Sequence, residues 1–153
     1  MVEGGGGGVE ETWAWDHPVE FIRSELGCNL WSKQAEILKA VRKSKRVAVR
    51  SCNGSGKTYA AACAVVWWLM SFRDSAIAIT TAPTERQVKD LLWREIRHIH
   101  AANAALVGGT ASQTALEVSP RRYAKGFSTD APERFQGFHD ANILFVVDEA
   151  SGV

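Results

Sequence analysis

The stretch Val47-Ala48-Val49-Arg50-Ser51-Cys52-Asn53-Gly54-Ser55-Gly56-Lys57-Thr58 constrains this chain more than any other. A short run with β-branched residues ends in a glycine-rich turn, and the uncharged stretch Tyr59–Met70 follows at once. Strand, loop and helix in that order build an anion site. Backbone N–H groups converge in the loop, while the first amides of the helix lack internal partners and sit at the positive end of its dipole. Gly54 and Gly56 let the backbone close on a ligand with no Cβ in the way. Ser51, Cys52, Asn53, Gly54, Ser55 and Gly56 would cradle phosphate, Lys57 would reach the β/γ-phosphates, and Thr58 would ligate Mg²⁺. The usual G-x-x-x-x-G-K-[ST] pattern has Ser51 in place of its first glycine. A surface turn ahead of a helix would also fit the last three residues, but the strand before and the apolar helix after them favour the phosphate site.

The partner motif lies far down the chain, at Ile143-Leu144-Phe145-Val146-Val147-Asp148-Glu149-Ala150. Its apolar run predicts a parallel strand buried on both faces, with two carboxylates at the C-terminal end where such sheets bind ligands. Asp148 would hold the Mg²⁺ shell, and Glu149 would orient and deprotonate an attacking water. Parallel strands need crossovers, so the separation from Lys57 is no objection.

Between and before these motifs the chain punctuates itself. Residues 1–12 form a tail with five consecutive glycines, Gly4–Gly8, expected to be disordered or a linker. The tail has neither the basic nor the apolar region of a signal peptide. Trp13–Leu26 predicts a short helix led by Asp16 and Pro18 and stopped by Gly27, with Trp13 and Trp15 covering a core edge. Asn29–Gln34 opens a second helix that turns Ile37, Leu38 and Val41 inward. Arg42-Lys43-Ser44-Lys45-Arg46 reads as a solvated turn complementing a helix C-terminus, with DNA contact as the minority reading. Tyr59–Met70 is too short to span a membrane, which needs about 20 apolar residues, and is expected as a buried helix.

Ser75–Thr81 predicts a strand, and Thr84-Glu85-Arg86-Gln87 has capping-box spacing. The helix that follows places Val88, Leu91, Leu92, Ile96 and Ile99 on one face, leaving Arg94, Arg97, His98 and His100 to solvent. Ala101–Gln113 reads as a loop or frayed helix end. Thr114–Val118 and Tyr123–Phe127 predict two strands around Ser119–Arg122.

With 153 residues, 46% of them hydrophobic, the chain suits one domain, and its formal charge of +1 makes no global claim about nucleic acid. Cys28, Cys52 and Cys63 lack metal-ligand spacing and read as reduced cytosolic thiols. Gln34 carries a donor and an acceptor side by side, matching N6 and N7 of adenine, and either Trp31 or Leu30 could pack on the base. An exposed helical Gln beside a core Trp is the competing reading.

Taken together, Trp31-x-x-Gln34, Arg50–Thr58, Thr81-Ala82-Pro83-Thr84, Gln136-Gly137-Phe138-His139 and Val147-Asp148-Glu149-Ala150 resemble the ATPase domain of tailed-phage terminase large subunits. That family is similar in fold to superfamily-two helicases. The resemblance covers about Trp31 to Val153. It implies an α/β P-loop NTPase with a mostly parallel sheet flanked by helices, apparently truncated after the acidic strand. ATP and Mg²⁺ would be the cofactors, and hydrolysis would drive double-stranded DNA into a capsid.

It also implies a small terminase subunit and a portal protein as partners, a homo-oligomeric ring in the intact protein, the bacterial host cytoplasm and no membrane. Residues 13–46 would be a helical segment with the adenine motif, and 47–153 a partial ATPase domain. Many family members carry Arg where Asn53 stands. The family's coupling motif and nuclease site are expected downstream, so the chain reads as an N-terminal piece. Arg86 and Arg134 are candidates for an arginine finger. A helicase-like remodeller and a non-catalytic nucleotide-binding remnant are the alternatives.

Overall fold

The computed structural model describes residues 11–44, 56–128 and 142–147. They form an α/β fold with a five-stranded mixed sheet flanked by helices. The helices are α1 (Trp13–Asp16), α2 (Pro18–Glu20, running into a π-turn over Phe21–Glu25), α3 (Ser32–Lys43) and α4 (Lys57–Met70). After β1 (Ala76–Ala82) come α5 (Glu85–Gln87), a π-turn over Val88–Leu92, α6 (Trp93–Ala102) and α7 (Ala104–Val107). The chain then enters β2 (Thr110–Ala111), β3 (Ala115–Ser119), β4 (Arg122–Ser128) and β5 (Ile143–Val147). Among the described residues no helix is long and apolar enough to cross a membrane.

The strand order is β2-β3-β4-β1-β5. β1 runs parallel to both β4 and β5, while β2, β3 and β4 pair antiparallel. The sheet is therefore mixed rather than mostly parallel, because Thr114–Phe127 folds as the tight hairpin its turn residues predict. Register aligns Leu116, Ala124, Ala78 and Leu144 in one row across the sheet, and Gly126, Thr80 and Val146 in another. These rows face the helices. Their small residues let α4 and α6 approach closely, and Ala78, Ala124 and Leu116 are fully buried.

The opposite face carries Ile77, Ile79, Ile143, Phe145 and Val147 by alternation. Ile77 and Ile79 are buried, but Phe145 and Val147 are 55% and 56% exposed. The expectation that β5 is buried on both faces is thus corrected. It is the last strand in the described sheet, and only Leu144 and Val146 pack on the core.

Helix α4 behaves as its composition dictates. Nine of its residues, from Ala60 to Leu69, are buried. The first expected helix is instead broken at His17, where Pro18 starts a new helix at its first position. Trp15 packs on the core, whereas Trp13 is exposed and stacks on His17. Glu11 and Thr12, assigned to the tail by sequence, pair with Phe72 and Ser71. Arg42 is not merely solvated. It bonds the Trp15 carbonyl and Asp16, and its guanidinium lies 4.2 Å from the Trp15 ring centre.

The capping box at Thr84 and Gln87 forms in both directions, each bond 3.1 Å. The face of the helix that follows is shifted from expectation: Leu91 is 44% exposed and Trp93 fully buried. The π-turn explains it, since the Trp93 amide bonds the Val88 carbonyl five residues back and brings both side chains to one face. Trp93 Nε1 then donates to Thr80 Oγ1 at 2.8 Å, with the ring lying over Gly126. His100 is also buried, its Nε2 2.8 Å from the Gly108 carbonyl, and Arg97 bonds the Gln113 carbonyl.

A Cβ on Gly126 would lie 2.3 Å from Trp93 Nε1 and 2.7 Å from Val88 Cγ1. Gly126→Ala should therefore destabilise the fold by about 1–3 kcal/mol through overpacking, although Ala suits a strand better than Gly. Leu91→Ala should stay within about 0.5 kcal/mol. Denaturant midpoints of both variants test the pair, and equal midpoints would refute the packing argument.

Candidate functional site

Helix α4 enters β1 through the short turn Ser71–Ser75 and packs on it, so its C-terminus lies at the N-terminal ends of the parallel strands. Two contacts fix this. Arg122, the first residue of β4, donates from Nη2 to the Leu69 carbonyl at 2.8 Å, and Trp68 Nε1 donates to the carbonyl of Asn142, just before β5, at 3.1 Å. Burial lowers the pKa of Arg122, and its charge complements the carbonyl end of the helix. The other end of α4 must then lie at the C-terminal edge of the sheet. Gly56, Lys57 and Thr58 stand there, at the edge where open α/β sheets hold ligands.

Gly56 is the N-cap of α4, in the left-handed region with φ +81°. Its carbonyl accepts from the Ala60 amide at 3.0 Å and from Gln34 Nε2 at 3.1 Å. The other end of the same carboxamide, Oε1, accepts from the Trp31 amide at 3.1 Å. These two partners fix the amide's orientation, since a carbonyl cannot donate and an N–H cannot accept. Gln34 reaches the cap because it is the third residue of α3 and shares a face with buried Leu38 one turn on. Its return bond to Trp31 is half of a capping box.

Gln34 is 4% exposed, not the exposed helical Gln of the competing reading. Adenine recognition is left with one Oε1 lone pair and one Nε2 hydrogen. Trp31 differs, being 51% exposed with its Nε1 3.4 Å from where a Gly56 Cβ would stand. The return bond to Trp31 has a signal in the sequence, since Trp31-x-x-Gln34 has the same offset as Thr84-x-x-Gln87, while the bond to Gly56 has none.

Lys57 and Thr58 occupy the first turn of α4 and are half-buried. Gly56 supplies no capping side chain, so the first-turn amides have no side-chain acceptor from that cap. Ser51, Cys52, Asn53, Gly54 and Ser55 of the loop, and the acidic pair Asp148 and Glu149, lie outside the described residues. Described β5 ends at Val147, which pairs with Thr81 of β1. The Thr81-Ala82-Pro83-Thr84 motif therefore leaves the sheet beside the point from which Asp148 follows. Thr81 Oγ1 is buried there with no hydrogen-bond partner among the described residues.

Comparison with protein-family models, with curated proteins and with solved structures returned no match. The terminase likeness rests on the motifs themselves.

Gly56→Ala would force a left-handed Ala, costing about 1–2 kcal/mol, and set its Cβ 2.3 Å from Gln34 Nε2. Removing that obstacle in the Gly56→Ala, Gln34→Ala double variant should recover part of the loss. Unfolding free energies of the four proteins are expected to depart from additivity by about 0.5–3 kcal/mol. Strict additivity would show that Gln34 and Gly56 are not coupled.

Proposed function

We propose that this chain is the nucleotide-binding part of a P-loop ATPase of the terminase large-subunit type, hydrolysing ATP·Mg²⁺ to drive double-stranded DNA. The observation that carries the reading is the bond from Gln34 to Gly56. It joins Trp31-x-x-Gln34 to Gly56-Lys57-Thr58 across 22 residues of sequence, as two motifs serving one nucleotide require. The placement of Lys57, Thr58, Thr81 and Val147 at one edge of the sheet supports it further.

In this reading Lys57 neutralises β/γ-phosphate charge, and Thr58 and Asp148 hold Mg²⁺. Glu149 deprotonates water. Ser51–Gly56 offers backbone amides to the phosphates, and Mg²⁺ supplies charge neutralisation at the leaving oxygens. The exposed indole of Trp31 is the surface for the base, while Gln34 chiefly holds Gly56 in its left-handed turn. The coupling to DNA, the ring, and the small-subunit and portal partners rest on the terminase resemblance alone.

Binding of a fluorescent ATP analogue with Mg²⁺ and single-turnover hydrolysis test the assignment side by side. Lys57→Ala removes charge-assisted bonds worth about 1.5–3 kcal/mol, so affinity should fall roughly ten- to a hundred-fold. Glu149→Gln keeps the shape of the site and should bind nearly normally, while any turnover drops by about 10²–10⁴. Unchanged affinity in Lys57→Ala would overturn the phosphate site. Parental hydrolysis by Glu149→Gln would reduce Glu149 to a strand-end carboxylate.

A further inference from the structure

Strand β5 is apolar at every position from Ile143 to Val147. Leu144 and Val146 pack on the core, while Phe145 and Val147 are exposed on the other side. Such a strand has no polar face. A slip of one residue would exchange its two faces and still present apolar side chains to α4, so the hydrophobic pattern says little about register. Yet β5 pairs with β1 in one frame, Ile77 opposite Ile143 and Thr81 opposite Val147.

Asn142, just before the strand, supplies what the pattern lacks. Its side-chain Nδ2 donates to the Ser75 carbonyl at 3.2 Å, in the turn between α4 and β1. Its own carbonyl accepts from Trp68 Nε1 at 3.1 Å and from the Ile77 amide at 2.9 Å. One residue thus ties the strand to the end of α4, to the turn after it and to β1. A slip of one residue would bring Ala141 or Ile143 to this place, and neither side chain can donate to Ser75.

We propose that Asn142 is a positioning residue that sets the register of β5, and through it decides which of two adjacent carboxylates is turned toward α4. Asp148 and Glu149 follow Val147 directly. In the observed register, alternation carried past Val147 would turn Asp148 to the side of Leu144 and Val146, where the helix bearing Thr58 lies. Glu149 would turn to the opposite side. A one-residue slip would exchange them, giving the Mg²⁺ position to the wrong carboxylate. The register half of the proposal stands on the hydrogen bonds of Asn142, and the metal half rests on the ATPase reading.

The first arm of the test needs no nucleotide. Whole-chain Phe145→Cys and Val146→Cys are each alkylated under native conditions, and mass spectrometry separates the new site from Cys28, Cys52 and Cys63. Phe145→Cys should react about tenfold faster than Val146→Cys, and adding Asn142→Ala should bring the two rates to within about threefold. Gly126→Ala, which loosens the packing elsewhere, should leave the tenfold ratio in place. The second arm follows binding of a fluorescent ATP analogue as Mg²⁺ is titrated. Asn142→Ala should raise the Mg²⁺ concentration at half-saturation about tenfold, with Mg²⁺-free affinity within about twofold of the parent. An alkylation ratio unchanged by Asn142→Ala overturns the register half, as does an equal loss of the ratio in Gly126→Ala. A lost ratio with an unchanged Mg²⁺ midpoint overturns the metal half. A parent chain whose binding depends on neither Mg²⁺ nor Lys57 overturns the ATPase reading and the metal half with it, and the alkylation ratio still decides the register.

Discussion

A helix with no charged residue between Tyr59 and Met70 can exist in water only if partners cover it on all sides, and α4 recruits the described fold to do so. The sheet lies beneath it, α3 and α6 flank it, and α1 closes over its last turns through Trp15. Its termini are held as firmly as its flanks. Gln34 clasps the carbonyl of the N-cap, while Arg122 and Thr12 take the carbonyls of Leu69 and Met70. Each fully buried Val or Leu along it contributes about 1.5–3 kcal/mol. Burial sets where the helix lies, and the polar contacts at its ends set which way it points. That direction puts Lys57 at the functional edge.

The N-terminal helices belong to this arrangement and are no appendage to it. Trp15 stacks on Trp67 at 5.5 Å and meets Trp68 and Phe72 at its edges. Trp67 Nε1 donates to the Ala14 carbonyl at 2.6 Å, so the indole is buried without an orphaned donor. Residues 13–44 therefore share one core with the helices and strands that follow. The division at residue 46 marks where the sequence changes character; the packing runs across it.

Much of this was legible beforehand because local chemistry and tertiary packing agree. The buried helix after Thr58, the strand at Ser75–Thr81, the Thr84 capping box and the hairpin around Pro120 all follow from residues that have one good use. The failures are equally physical. Periodicity assumes a constant turn, so the π-turn at Val88–Leu92 hid Trp93 and exposed Leu91. An apolar run reports affinity for a core without reporting how many faces are covered, which is why β5 was read as more buried than it is. For the site, sequence brought Gln34 and Gly56 together only by resemblance. Their contact is a matter of α3 and α4 geometry that spacing does not encode.

The π-turn bears on what lengths this stretch accepts. In α-helix each residue advances the side chain by about 100°, so Trp93 reaches Thr80 and Gly126 only because one wide turn precedes it. Removing a single residue between Val88 and Leu92 would set Val88 and Trp93 four apart, so the wide turn could close to ordinary α-helix with the indole still over Gly126, whereas adding one would swing it off the sheet. Substitutions at exposed Leu91 leave that geometry alone. Variation here is therefore free in kind at some positions, and in number the stretch tolerates the loss of its one extra residue but not the gain of another.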